Sequence, residues 1–326
     1  MAHVLVTGGL GFIGSHLCER LLREGATVWC VDEGLGPDPA ARRFLLQQFP
    51  RFRWMQADVV TLPALPCTPD LVVHLAAHAG VRAALADPCG YARTNVEGTV
   101  NVLEACRAAG VSKVLFASSS SVYGHPGQPG RASCEDDVLP PPLSPYAATK
   151  RAGELLCQTY VHLYAMDITA LRFFSVYGPR QRPDLVLPTF VRQMLTGEPL
   201  RVYGDGTAVR DYTYIDDVVA GICAAMAKML KVPRPFSPSI SHGRYECYNL
   251  GSGAPVSLNT LMTTLQDALD LGDVGREMLP PHRADAACTW ADIGQARRVL
   301  GYAPQVSFTE GVRRYVGWLR GESPLP

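Results

Sequence analysis

The sequence of 326 residues lacks any run of about 18 apolar residues, which argues against a membrane-spanning helix. It lacks a charge excess as well: thirty basic residues face thirty acidic ones, so no net field recruits nucleic acid or an anionic membrane. An anionic ligand must then be met by individually placed arginines or by helix ends. The ten cysteines include no CxxC pair, and Cys18, Cys106 and Cys223 sit inside apolar periodic segments. They read as small core-filling side chains in a reducing cytoplasm. Neither the cysteines nor the eight histidines cluster at ligand spacing, so no metal is expected. No internal repeat is present. The opening "MAHVLVTGGLGFIGS" is too polar and glycine-rich for a signal peptide and reads as structure.

What is present is an alternation. Apolar residues make up 47% of the chain, enough for one large domain or two lobes sharing a core. "HVLVT" (3–7) reads as a strand, "FIGSHLCERLLREG" (12–25) as an amphipathic helix closed by Gly25, and "TVWCVD" (27–32) as a strand. "DLVVHLA" (70–76), "YARTNVEGTVNVLEACRAAG" (91–110) and "KVLFASS" (113–119) repeat the pattern. Continuous apolar strands between helices mark a parallel sheet covered on both faces, and right-handed crossovers make it doubly wound, a Rossmann-type α/β fold. The second half is richer in proline. It carries a strand that ends in a turn (167–179), a helix near 187–197, "LRVYGDG" (200–206), a helix over 214–230, a surface loop by composition (231–246), two more helices and a final amphipathic helix near 309–320. The expected division is a nucleotide lobe over 1–171 with a return segment at 207–230, and a smaller C-terminal α/β lobe from 172–206 and 231–326.

Gly8, Gly11 and Gly14 stand in GxxGxxG spacing between a strand and a helix, with Phe12 and Ile13 on the same turn. Such a turn closes tightly, lets backbone approach a pyrophosphate and lets the helix pack on its strand. Asp32 ends the second strand, where a carboxylate can accept both hydroxyls of an adenosine ribose. Glu33, not arginine, follows it, so a 2′-phosphate would meet two carboxylates; NAD is the expected cofactor rather than NADP. Asp58, beside Val59, either reaches the adenine amino group or caps its strand end. Leu75, Ala76 and Ala77 end the fourth strand in residues that let backbone run beside the cofactor. Asn95, in the next helix, needs a polar partner if it is buried.

Tyr146 and Lys150, in "SPYAATKRAGE", lie one helical turn apart on one face. With "VTGGLGFIGSH", "HLAA", "NVEGTVNVLEAC", "SSSSVYG", "SPYAATK", "RFFSVYGP" and "RDYTYIDD" in this order, nearly the whole chain resembles the extended short-chain dehydrogenase/reductase superfamily. Its members are mostly nucleotide-sugar epimerases, dehydratases and decarboxylases, usually dimeric. Within them the sequence looks most like the UDP-glucuronate 4-epimerases, through "AGVRAAL", "RFFSVYGPRQRPD" and the proline-rich loop before "YNLGSG". The resemblance implies that Tyr146 is the catalytic base and that Lys150 lowers its pKa and holds the nicotinamide ribose. A free tyrosine titrates near 10, so lowering it by about three units requires roughly 4 kcal/mol of differential charge stabilisation. Ser118 would border the cofactor, Ser119 and Ser121 would relay the proton, and Ser120 would border the substrate.

The resemblance also separates reactions. Dehydratases of the family carry Asp-Glu where this chain has Ser120-Ser121, and decarboxylases of UDP-glucuronate carry a glutamate at the second position. Neither carboxylate is present, which leaves inversion at C4. A 4-keto uronate is a β-keto acid, so its carboxylate must be pinned; Arg182 is the leading candidate, with Ser175 and Ser121 assisting and Arg82 second. Glucuronate epimerases carry Thr where this chain has Ser175, an imperfect match. Family precedent places Arg210 on the diphosphate. Leu187, Pro188 and Phe190 would border the uracil with Val202 and Tyr203 nearby, core packing being the alternative for all of these. Asp216 or Asp217 is expected to cap its helix. Relatives often read "RPGDV" where this chain has "HRADAA" (282–287): Asp285 aligns, and either His282 or Arg283 reaches the diphosphate. A UDP-sugar substrate, no nucleic acid or membrane partner and a homodimer through the helices near 91–109 and 146–163 complete the expectation. A C4 epimerase of a neutral or N-acetylated UDP-hexose, or a non-catalytic NAD-binding regulator, are the alternatives.

Overall fold

The computed structural model describes residues 2–124, 130–231 and 243–322. The first half gives β1 (His3–Thr7), α1 (Phe12–Arg23), β2 (Thr27–Asp32), α2 (Pro39–Gln47), β3 (Phe52–Gln56), β4 (Leu71–His74), α3 (Ala83–Ala86) and α4 (Pro88–Ala92). A π-helical turn at Arg93–Glu97 leads into α5 (Gly98–Ala108), followed by β5 (Lys113–Ser119), a 3-10 turn (Ser120–Tyr123) and α6 (Pro145–Tyr164). Then come β6 (Asp167–Phe173), β7 (Ser175–Tyr177), α7 (Val186–Thr196), β8 (Leu200–Tyr203), β9 (Val209–Arg210), β10 (Tyr212–Tyr214) and α8 (Ile215–Lys231). The chain ends through β11 (Tyr245–Leu250), β12 (Val256–Ser257), α9 (Leu258–Leu269), β13 (Arg276–Leu279), β14 (Cys288–Thr289), α10 (Gly294–Leu300) and α11 (Phe308–Leu319).

Seven strands form one parallel sheet in the order β3-β2-β1-β4-β5-β6-β11. Strand periodicity divides its side chains between two cores. Val4 and Val6 of β1 pack with Leu17 and Cys18 of α1 and Val218 and Ile222 of α8. Leu5 between them packs with Val102 and Leu103 of α5 and Cys157 and Val161 of α6. The strand order reverses between β1 and β4, and a crevice at the carboxyl ends of the strands is the consequence. Thr7, Asp32, His74 and Ser119 end four of those strands beside it. Among the described residues, no helix is long and apolar enough to cross a membrane.

Three expectations need correcting. Residues 245–250 were assigned to the substrate lobe, yet β11 pairs in parallel with β6 from Tyr245–Ile168 to Leu250–Phe173 and supplies the seventh strand. Its run of alternating apolar residues fits the open edge of β6. Of the expected loop 231–246, residues 232–242 lie outside the described residues and Tyr245 already belongs to this strand. Asp216 and Asp217 do not cap α8, because that helix begins at Ile215 and both lie in its first turn. Asp217 instead accepts from the backbone N–H groups of Gln305 (2.9 Å) and Val306 (3.0 Å), tying the C-terminal segment to α8.

Candidate active site

The glycine turn builds the cofactor end. Gly8 has φ +70°, and a Cβ there would meet the Ala76 backbone nitrogen at 2.7 Å, so β1 and the segment after β4 close on each other only through glycine. Gly14 likewise leaves no room for a Cβ against Gly8 and Gly9. No side chain caps α1, whose first-turn N–H groups at Phe12, Ile13 and Gly14 therefore face the crevice unpaired within the helix. Gly8, Gly11, Phe12, Leu75, Ala76, Ala77, Asp32, Asp58 and Val59 line one cavity of about 510 Å³. The Asp32 carboxylate accepts from Leu10 N (2.9 Å) and Gly34 N (2.8 Å), one bond per oxygen, which fixes it and leaves lone pairs for a ribose diol. Burial raises its pKa, and those two bonds oppose the rise. Asp58 accepts from Val60 N at 2.9 Å, as a strand-end cap does, and it lines the same cavity. An arginine the sequence reading missed, Arg42, also lines this cavity, but its guanidinium donates to Leu10 O (2.9 Å) and Arg180 O (2.7 Å). The residues present fit a dinucleotide without a 2′-phosphate.

The second cavity, about 430 Å³, shares Gly8, Gly11, Phe12, Leu75, Ala77 and Arg182 with the first and continues it. Gly14, Ser118, Ser119, Tyr146, Lys150, Ser175, Arg182 and Arg210 line it. Ser144 starts α6 by accepting from Ala147 N at 3.2 Å, with Pro145 in the first turn, and so sets the face that carries Tyr146 and Lys150. Ser121 Oγ donates to Ser119 Oγ at 2.8 Å, and Ser119 lines the same cavity as Tyr146. Ser120 and Ser121 lie on the 3-10 turn just behind this lining. Lys150 Nζ donates to Ala117 O at 2.8 Å, which leaves two ammonium N–H bonds for a ligand. Burial lowers its pKa to about 8. Burial raises that of Tyr146, while the Ser119 hydroxyl and the Arg182 charge pull it down. The sequence reading gave that downward pull to Lys150 and the nicotinamide ring of a bound cofactor; in this structure Ser119 and Arg182 add to it.

Arg182 stands between the cavities. Its Nε and Nη2 donate to Asp184 Oδ1 (2.9 Å) and Oδ2 (2.6 Å), and its Nη1 donates to Ala79 O (2.7 Å). Arg210, on β9, donates to Val209 O at 2.8 Å and lines the reaction cavity. Other expected contacts fall elsewhere. Leu187, Phe190 and Val202 are fully packed core residues, because α7 and β8 turn those positions inward; Leu185 and Val186 take the wall instead. Pro188 is half-buried on α7, outside the lining of either cavity. Arg82 is likewise outside both: its guanidinium stacks 3.9 Å above the Tyr203 ring and binds Asp285 at 2.6 Å. His282 meets the edge of the same ring, its Nδ1 accepting from Ala284 N, while Arg283 is exposed. Arg82, Tyr203 and Asp285 thus come together as a bridge between lobes.

Two buried networks support the floor. Asn95, in the π-helical turn, accepts from His78 N (2.8 Å) and donates to His78 O (2.9 Å) and Thr149 Oγ1 (3.0 Å). It holds the segment beside the cofactor rather than lining the cleft. Thr149 Oγ1 then donates to Tyr146 O at 2.8 Å. Thr99 Oγ1 donates to Asn95 O (2.6 Å), so it must accept from His74 Nε2, and the Thr7 hydroxyl must donate to His74 Nδ1 (2.7 Å). The hydrogen bonds therefore fix one neutral tautomer. In the other network Glu154 Oε2 and Oε1 receive Arg172 Nη2 (2.8 Å) and Nε (2.9 Å), and Ser118 also donates to Glu154. Arg172 continues to Tyr123 and, through it, to Asn249 of β11.

The model of the NAD dependent epimerase/dehydratase family matches residues 4–238. A UDP-glucuronate 4-epimerase of Thermodesulfobacterium geofontis is 39% identical over 98% of this chain and 96% of its own length. A solved structure of UDP-glucuronic acid 4-epimerase from Bacillus cereus, a tyrosine-to-phenylalanine variant with UDP-4-deoxy-4-fluoro-glucuronic acid and NAD, is 35% identical with a TM-score of 0.88, covering 98% of this chain and 99% of that one. A UDP-glucose 4-epimerase from Thermotoga maritima with UDP-glucose is 30% identical with a TM-score of 0.84 over 98% of this chain and 99% of that one.

Proposed function

The chain belongs to the NAD-dependent epimerase/dehydratase family, and on that basis we propose that it inverts C4 of a UDP-hexuronic acid, taking UDP-glucuronate to UDP-galacturonate through a 4-keto sugar. It is an NAD-dependent nucleotide-sugar epimerase. The observation that carries the uronate reading is the guanidinium of Arg182 lining the same cavity as Tyr146 and Ser175, with hydroxyls rather than carboxylates at Ser120 and Ser121.

NAD, when bound, supplies the hydride acceptor that becomes the donor for the return step. The glycine turn and the open start of α1 would hold its pyrophosphate, Asp32 its adenosine ribose and Lys150 its nicotinamide ribose. Tyr146 takes the 4-hydroxyl proton through Ser119, with Ser121 behind it. Lys150 acts as the fixed cation beside the cofactor, anchored by Ala117 O. Arg182 pins the carboxylate, so that the C5–C6 bond stays out of line with the ketone and carbon dioxide is retained. Arg210 holds the diphosphate, and rotation about that linkage presents the other face of the ketone. The test is incubation with UDP-glucuronate and no added NAD, reading C4 stereochemistry and carbon dioxide together. UDP-galacturonate without pentose supports the reading; turnover of UDP-glucose alone would replace it with the neutral-hexose alternative, for which the Thermotoga likeness speaks.

A homodimer through α5 and α6 belongs to the same reading. Leu155, Leu163 and Tyr164 stand exposed on α6, and sedimentation of the purified protein as a monomer would remove it.

A further inference from the structure

A guanidinium carries five N–H bonds on two usable edges. In Arg182 the Nε–Nη2 edge grips both oxygens of Asp184, and one Nη1 hydrogen goes to Ala79 O. One N–H on each terminal nitrogen is left with no acceptor among the described residues. Asp184 lines only the adenosine-side cavity, whereas Arg182 lines both. Asp184 therefore holds the arginine from the cofactor side, while Arg182 also lines the chamber of Tyr146 and Ser175. Proline at 183 stiffens the link between the two partners.

The far side is fixed as firmly. Ala79 O also accepts from Tyr91 Oη at 2.9 Å, so both its lone pairs are used. The Tyr91 ring meets the Tyr146 ring edge-on at 6.2 Å. Gly80, with φ +121°, leaves the guanidinium its space, since a Cβ there would lie 3.2 Å from Arg182 Nη2.

We propose that Asp184 is the positioning residue for sugar specificity: with Ala79 O it locks Arg182 so that one N–H from each terminal nitrogen forms a fork for the C6 carboxylate of the substrate. This rests on the reading of Arg182 as the carboxylate holder. A forked hold fixes the plane of the carboxylate, whereas a single hydrogen bond lets it rotate. Once the C5–C6 bond aligns with the 4-ketone, its electron pair passes into the carbonyl as an enolate and carbon dioxide departs. Asp184 thereby acts on product identity without touching the sugar.

The test uses the NAD-loaded protein, with calorimetric Kd values for UDP-glucuronate and UDP-glucose and the pentose fraction of the product. Asp184→Ala weakens UDP-glucuronate relative to UDP-glucose by about tenfold or more and raises the pentose fraction, the scale of one charge-assisted hydrogen bond. Asp184→Glu, which keeps the carboxylate, recovers most of both. Melting temperature and NAD content show that each variant is folded. Equal loss for the two sugars, no change, or tighter UDP-glucuronate binding (Asp184 then being a competitor for the fork) overturns the proposal. If Arg182→Ala shifts the uronate readouts while Asp184→Ala does not, only the proposal fails. If Arg182→Ala shifts nothing, the reading beneath it fails as well.

Discussion

At Tyr146 burial and charge oppose each other over one proton. Burial prevails in this structure, with Ser119 and Arg182 pulling the other way. Tyr146→Phe removes the proton acceptor while keeping the ring against Tyr91, so turnover falls by about 10²–10⁴-fold with bound NAD unchanged, measured in a single-turnover assay. Helix periodicity puts Tyr146 and Lys150 on one face, and it was the resemblance to the short-chain dehydrogenase/reductase superfamily that made the residue's role legible. The cause of its tuning was not legible, because Arg182 is brought in by the fold and not by adjacency. Asp184 was open to discovery as an acid two residues from Arg182; the capture of Ala79 O was not. Two histidines give a second residue-scale prediction. His16, buried beside Arg180 and Arg42 against Pro179 O, and His74, buried near Lys150 among threonine hydroxyls, both have their pKa lowered to about 3. The unfolded chain then binds more protons below about 6.5, so stability falls as pH drops from there toward 3, by about 2 kcal/mol per histidine at pH 5. The urea midpoint of His74→Gln should depend less on pH than that of the parent; an equal slope would show that His74 is not held neutral.

At the scale of elements, strand and helix periodicity located most of the sheet and the large helices within a few residues. Three features escaped it. α2 begins at Pro39 behind Asp38, a start signal that the periodicity reading passed over and whose side chain makes no capping hydrogen bond. The extra residue of the π-helical turn leaves no mark on hydropathy, though it carries Asn95 inward to grip His78. Glu154 repeats the Tyr146–Lys150 spacing once more along α6, but what it meets comes from β6 and β5. Its side chain and that of Arg172 are 3% and 6% exposed. Glu154→Ala strands a buried cation and lowers stability by about 3–5 kcal/mol in chemical denaturation, whereas replacing both partners by apolar residues costs far less. A loss in the double variant equal to the sum of the two single losses would mean that the pair acts independently.

For the molecule as a whole, the division into lobes was only partly readable, since composition cannot show that a late segment pairs with an early strand. Glycine turn, β-strand ends and α6 all contribute to one cleft, so cofactor binding should report on the entire fold. Stripping NAD lowers the melting temperature, and NAD restores it by about 2.7 kcal/mol at a hundredfold excess over Kd, while NADP, facing Asp32 and Glu33, does not. Equal restoration by both would contradict the ribose assignment. The placement of β11 beside β6 also bears on synthesis. A nascent chain that has emerged only as far as residue 238, where the family match ends, displays β6 as a bare, apolar ladder edge. Fragments cut there are expected to associate into insoluble material, and the ribosome must deliver residue 250 before that hazard closes.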